Sequence, residues 1–241
     1  MLHRDQMMKI LIDTNRYLDL YESDEDTEDI LGDMLKFTDH LIFPDIILDE
    51  FLRNRTRILD RRIKQVADTE VPPIRWPFFL RRYPGVSTLQ QKAEEYNQAV
   101  SSVVADLEKV ASDIENDPIY RFLLRIYRDP GVMVLHRTDE LIERAHRRKL
   151  IGNPPKSEAT STIGDELIWE TVLESLNDDL ILITRDYTYR NHAAFLVTEY
   201  RERTGKVLTI TEYISVALER MRIPPGEALL RFEGRMGSNT G

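Results

Sequence analysis

The sequence predicts an α/β protein: a mostly parallel central sheet flanked by helices and interrupted by a helical insertion. Short apolar runs, KILID (9–13), HLIF (40–43), DLILITRD (179–186) and KVLTI (206–210), alternate with helix-patterned segments toward both ends of the chain. Runs this uniformly apolar suit strands buried on both faces, as in parallel sheets covered by helices. The middle, about 60–150, is helical in pattern.

Each element has a local reason. The run at 9–13 ends in Asp13 and turns into a helix at 16–21; a second helix covers 30–37, with the acid-rich ESDEDTED (22–29) between them. Pro44 opens the next helix, as proline suits a first turn. Residues 70–87 hold Pro72, Pro73, Pro77 and Pro84 and read as an irregular connection, pinned down by Trp76, Phe78 and Phe79. A long helix over 88–127 breaks near Asp117–Pro118, because the residue before proline disfavours the helix. Further helices are expected at 138–150, 162–176, 191–204 and 211–221. The expected domains are a sheet domain (1–59 and 151–230), the insertion (60–150) and a loose, glycine-containing tail (231–241). At the other end, either the chain effectively starts at Met7 or Met8 or its first six residues form a loose arm.

The chain has 241 residues, 41% hydrophobic and 31% charged, with a net charge of −9. That length fits one large domain or a domain with an insertion. There is no cysteine, which excludes disulfides, thiolate zinc sites and a cysteine nucleophile and fits a cytoplasmic protein. The N-terminus lacks a signal-peptide pattern, and no segment approaches the roughly 20 apolar residues of a membrane span, so no membrane association is expected.

Four carboxylates stand out. Asp13 and Asp186 end strand runs, and ligands of open parallel sheets bind beyond the carboxyl ends of strands. Asp165, Trp169, Val172 and Leu176 share one apolar helix face, so Asp165 points inward at a first turn, Glu166 lies at the edge and Glu170 points away. Glu50 lies on the margin of the face formed by Ile47, Phe51 and Ile58, whereas Asp49 points outward. Buried charges are costly and converging carboxylates repel; a hard divalent cation, Mg2+ or Mn2+, resolves both problems. Each acid also has an ordinary explanation: Asp13 as an N-cap, Asp165 in a capping box with Thr162, Asp186 opening an Asx turn, Glu50 paired with Arg53. Taken together, the metal explanation is favoured.

IDTN (12–15), Glu50 on the following helix, GD (164–165) and TRD (184–186) resemble, in that order, the acidic motifs of the PIN domain family. GNPPK followed by GDELIW looks like a subgroup with a long helical insertion, unlike the small toxin ribonucleases. The resemblance implies a metal-dependent nuclease, usually of RNA and sometimes of structured DNA. Asp13, Glu50, Asp165 and Asp186 would be catalytic and metal-binding, with Thr14, Asn15 and Thr184 in support.

Two basic stripes are candidate nucleic-acid contacts: Arg53, Arg57 and Arg61, continued by Lys64, on the face that holds Glu50, and Arg144, Arg147 and Arg148 on a later helix; Lys156 stands in a loop before Asp165. The alternative for each stripe is a solvated helix face. The expected function is a metal-dependent endonuclease with RNA favoured over DNA; the alternative is a non-catalytic binding module on the same fold. An aspartyl-phosphate phosphatase is disfavoured, because Thr14 and Asn15 follow Asp13 where a second acid is needed. The partner is nucleic acid, with a second copy of the chain or a regulatory protein left open.

Overall fold

In the computed structural model, residues 8–156 and 162–238 are described. The expected N-terminal arm (1–6) and the last tail residues (239–241) lie outside them. The elements in chain order are β1 (Met8–Ile12), α1 (Thr14–Leu18), α2 (Thr27–Leu35), β2 (Leu41–Pro44), α3 (Ile46–Ala67), α4 (Pro84–Ser112), α5 (Pro118–Arg128), β3 (Met133–Leu135), α6 (Asp139–Ile151), α7 (Gly164–Ser175), β4 (Asp179–Ile183), α8 (Tyr187–Arg190), α9 (Ala193–Thr204), β5 (Leu208–Thr211), α10 (Ile214–Arg220) and α11 (Glu227–Ser238). No helix among the described residues is long and apolar enough to cross a membrane.

The chain divides into two units, one formed by Met1–Arg53 and Phe122–Gly241, the other by Asn54–Arg121. The first holds a five-stranded, all-parallel sheet in the order β3-β2-β1-β4-β5. β1 and β4 run in register from Met8 opposite Asp179 to Ile12 opposite Ile183. Their interiors, Ile10–Ile12 and Leu180–Ile183, are buried without alternation, so both faces are covered. The chain builds outward from β1 to β2 and β3 on one side, then returns to add β4 and β5 on the other. The order therefore reverses between β1 and β4, the place where ligands of open parallel sheets bind, at the carboxyl edge.

β3 was not anticipated. It lies inside the span expected as insertion, and VMVL is too short for its periodicity to separate strand from helix. The insertion is accordingly Asn54–Arg121 rather than 60–150, while β3 and α6 belong to the sheet unit. The tail also differs from expectation: 231–238 is helical, within α11. Leu229 and Phe232 are buried, and the Glu233 carboxylate accepts from Ser215 Oγ at 2.5 Å, from Ser215 N at 3.2 Å and from Ile214 N, capping α10. Arg231 and Arg235 pair with Glu25, and Arg235 with Asp24. The acid-rich segment thus meets its counter-charges in a helix some 200 residues later.

In the second unit, Arg55 and Asp117 form a buried pair at 2.5 Å, and Asp117 caps α5 through Ile119 N at 2.9 Å. The break expected near Asp117–Pro118 is thus built around a capping aspartate. The Asn97 amide of α4 holds the backbone of Val71 at both N and O, at 2.9 and 3.0 Å. The aromatics expected to pin the proline-rich connection do not all do so: Trp76 is half-buried, but Phe78 is 88% exposed and Phe79 60%.

Candidate metal centre

Asp13 leaves β1 and Asp186 follows β4, on the neighbouring strands that flank the order reversal. Asp13 N donates to Ile183 O at 2.9 Å, which locks the two strand ends together. Asp13 occupies the N-cap position of α1, yet its side chain makes no capping bond there. Instead its Oδ2 accepts from Asn15 Nδ2 at 2.6 Å and from Thr184 Oγ1 at 2.5 Å. Thr184 Oγ1 in turn accepts from Asp186 N at 2.9 Å and from Asn15 Nδ2 at 3.2 Å. Asn15 Oδ1 accepts from Arg185 N at 3.3 Å. Asp186 does open a turn, since Oδ1 takes the Thr188 N–H at 2.7 Å.

Glu50 lies on the first turns of α3 and accepts from Thr14 Oγ1 at 3.0 Å, so the residue after Asp13 fixes the second acid. Gly164, the first residue of α7, sits against the same carboxylate: a Cβ there would stand 3.3 Å from Glu50 Oε1. Asp165 follows at once and is buried. The N-cap of α7 is Ile163, without a side-chain cap, so the capping box through Thr162 is not formed. Tyr189 OH donates to Asp165 O at 3.1 Å, tying α7 to α8.

The four acids lie close enough for their charges to act on one another. Burial, then the charges of Glu50 and Asp186, push Asp13 up to about 7, against the opposing hydrogen bond from Thr184. Asp165 is raised well above the carboxylate range by burial, then by Asp13, Asp186, Glu50 and Glu166. Glu50 is raised by burial and by Asp186, with Thr14 and Arg53 opposing. Among the described residues, no three such side chains already close around one point as metal ligands. The donor set nonetheless suits a hard divalent cation: it is all oxygen, largely buried, and mutually repulsive in a way that a cation would relieve.

The basic candidates fare unequally. Arg53 is exposed and acts on Glu50 as a nearby positive charge. Arg57 and Arg61 are exposed on α3, in the second unit, with Arg57 bonded to Asn54; Lys156 is exposed. The second stripe is corrected. Arg148 is only 5% exposed and bonds Glu170 Oε1 at 2.7 Å, Pro154 O at 2.6 Å and Glu199 Oε1 at 2.6 Å. Arg144 pairs with Glu170 at 2.9 Å and Glu174 at 2.7 Å. Neither faces a polyanion, and Arg147 alone of the three is exposed. Glu170, expected to point outward, is the buried acceptor of this network, and Glu166, expected at an edge, is fully buried. The helical wheel failed on α7 because α6 brings its arginines to the face that looks polar.

A doubly covered parallel sheet with acids gathered over its order reversal is the architecture of an α/β protein with an acidic centre at the strand carboxyl edge. The chain belongs to the PIN domain family: the family model matches residues 10–189, a span that includes all four acids. PIN domains are generally nucleases, and those nucleases typically use divalent metals. Neither the curated proteins nor the solved structures yielded a match.

Proposed function

We propose that this protein is a metal-dependent endonuclease that hydrolyses phosphodiester bonds, with RNA favoured over DNA. The observation that carries the proposal is the convergence of Asp13, Glu50, Asp165 and Asp186, in which burial and neighbouring carboxylates push Asp13 up to about 7. These four would hold Mg2+ or Mn2+. Such an ion, when bound, supplies an activated water and offsets charge on the leaving oxygen. The chain's own residues supply position. Thr184 and Asn15 hold Asp13 by one oxygen, Thr14 holds Glu50, and Gly164 leaves room for the Glu50 carboxylate. With Asp13 pushed up to about 7, a cation that binds it would displace a share of its proton near neutral pH, so metal uptake would be coupled to proton release. Arg53 stands beside the acids as a counter-charge for a backbone phosphate, with Arg57, Arg61 and Lys156 as further contacts. The preference for RNA rests on the family resemblance.

Labelled single-stranded RNA, single-stranded DNA and a flap duplex, each with Mn2+, Mg2+ or EDTA, test the proposal. The expected result is cleavage of RNA with either metal, none with EDTA, and background levels for Asp13→Asn and Asp165→Asn. Absence of metal-dependent cleavage of all three, or cleavage unchanged in both variants, sinks the catalytic proposal and leaves a binding module on the PIN fold.

A further inference from the structure

The second unit carries a surface that the acidic centre does not use. From Val71 to Ala93 there is no acid, while Arg75, Arg81, Arg82 and Lys92 are basic. Across the whole unit, eleven basic residues face ten acidic ones, whereas the rest of the chain has 22 and 32. The insertion is therefore net positive by one in a protein of net charge −9. Its acid-free stretch also displays aromatic rings: Phe78 is 88% exposed, Phe79 60% and Tyr83 49%. Arg75, Arg81 and Arg82 are exposed among them, and the Arg82 guanidinium lies over the Tyr83 ring, 5.5 Å from its centre.

Exposing two phenylalanines in water forgoes the stabilisation that burial of such side chains gives. The segment is nonetheless held firmly enough to present them. Pro72, Pro73, Pro77 and Pro84 restrict its backbone, Asn97 clamps its start to α4, and Phe78–Leu80 forms a single 3-10 turn. Flat rings interleaved with guanidinium groups match the chemistry of a single-stranded nucleic acid, whose bases stack on aromatics while its phosphates pair with arginine.

We propose that residues 75–83 form a docking platform for single-stranded nucleic acid, separate from the acidic centre: Phe78, Phe79 and Tyr83 stack bases, and Arg75, Arg81 and Arg82 bind phosphates. Duplexes bind it poorly, because their bases are already stacked on one another. The platform does not require the acidic centre to be catalytic.

The test is fluorescence anisotropy of the full chain in EDTA with a labelled 15-nucleotide oligouridylate, the matching duplex, and vesicles of anionic phospholipid as a competitor. Phe78→Ala/Phe79→Ala is expected to weaken single-strand binding by about tenfold or more with the salt dependence retained. Arg81→Ala/Arg82→Ala is expected to weaken it and to flatten the slope of log affinity against log salt by about 1.4, at 0.7 per lost phosphate contact. Both pairs are exposed, and circular dichroism melts confirm folding. Single-strand binding unchanged in both variants, duplex binding as tight as single-strand binding, or vesicles that displace the oligonucleotide through the same residues overturns the proposal. Aromatic-dependent binding without any metal-dependent cleavage would instead remove the nuclease and leave the platform standing.

Discussion

Thr184 and Asp13 are 171 positions apart in sequence, yet Thr184 Oγ1 donates to Asp13 Oδ2 at 2.5 Å while accepting from Asp186 N. One hydroxyl thus joins the ends of β1 and β4, orients the Asp13 carboxylate and holds the backbone of Asp186. Thr184→Val keeps the shape and removes the bond. Metal-dependent cleavage is expected to fall about 10–100-fold, the usual effect of losing a group that orients a metal ligand. Thr184→Ser should retain most of the activity. Cleavage rates over a metal titration check this.

Asp13 gives a pH signature in the metal-free protein. Its folded carboxyl keeps a proton up to about 7, whereas an unfolded one releases it near 3.8. Between those values the folded state binds more protons, so this group's contribution to stability falls as pH rises from about 4 to 7. Asp13→Asn should remove that contribution. In EDTA, the variant is expected to melt higher than the wild type at pH 7.5, with the difference shrinking toward pH 4. Thermal melts across that range decide it, and a difference independent of pH contradicts the burial of Asp13 among acids.

Gly164 tests the approach of α7 to Glu50. Gly164→Ala places a methyl group 3.3 Å from Glu50 Oε1, closer than such contacts normally come. Alanine favours a helix by about 1 kcal/mol over glycine, so urea unfolding should show stability retained or slightly raised. Cleavage should nonetheless require more Mg2+, because Glu50 is displaced. Unchanged metal demand would place Glu50 outside the centre.

Arg147 and Arg148 are adjacent in sequence and opposite in consequence. Arg148→Ala removes the buried partner that Glu170 and Glu199 share, leaving Glu170 to Arg144 and Glu199 to Trp169, and is expected to cost about 3 kcal/mol. Arg147→Ala, at an exposed position, should stay within about 0.5 kcal/mol. Urea denaturation midpoints compare the two.

Much of the centre could be read from residues alone. Asp13 and Asp186 ended the two strongest apolar runs, and the sheet made those runs neighbours. Asp165 followed from an apolar helix face. What escaped was everything that depended on a partner distant in sequence. The strand Met133–Leu135 has meaning only as an edge beside Leu41–Pro44. Glu170 and Arg148 look like solvated charges until α6 lies along α7 and each neutralises the other. Arg231 and Arg235 looked like part of a loose tail because their acids, Asp24 and Glu25, stand at the opposite end of the chain. The rings of Phe78 and Phe79 erred the other way: hydrophobicity predicted burial, and both stand exposed.

The order reversal between β1 and β4 also governs when the centre comes into being. Asp13 and Glu50 are synthesised well before Asp165 and Asp186. The strand that completes their surroundings is β4, 170 residues behind β1. Until Asp179–Ile183 slides in beside Met8–Ile12, the central strand has an open edge and two acids without their counterparts. Splitting the acids across so long a stretch means that the activity proposed above would arise only once the sheet has closed.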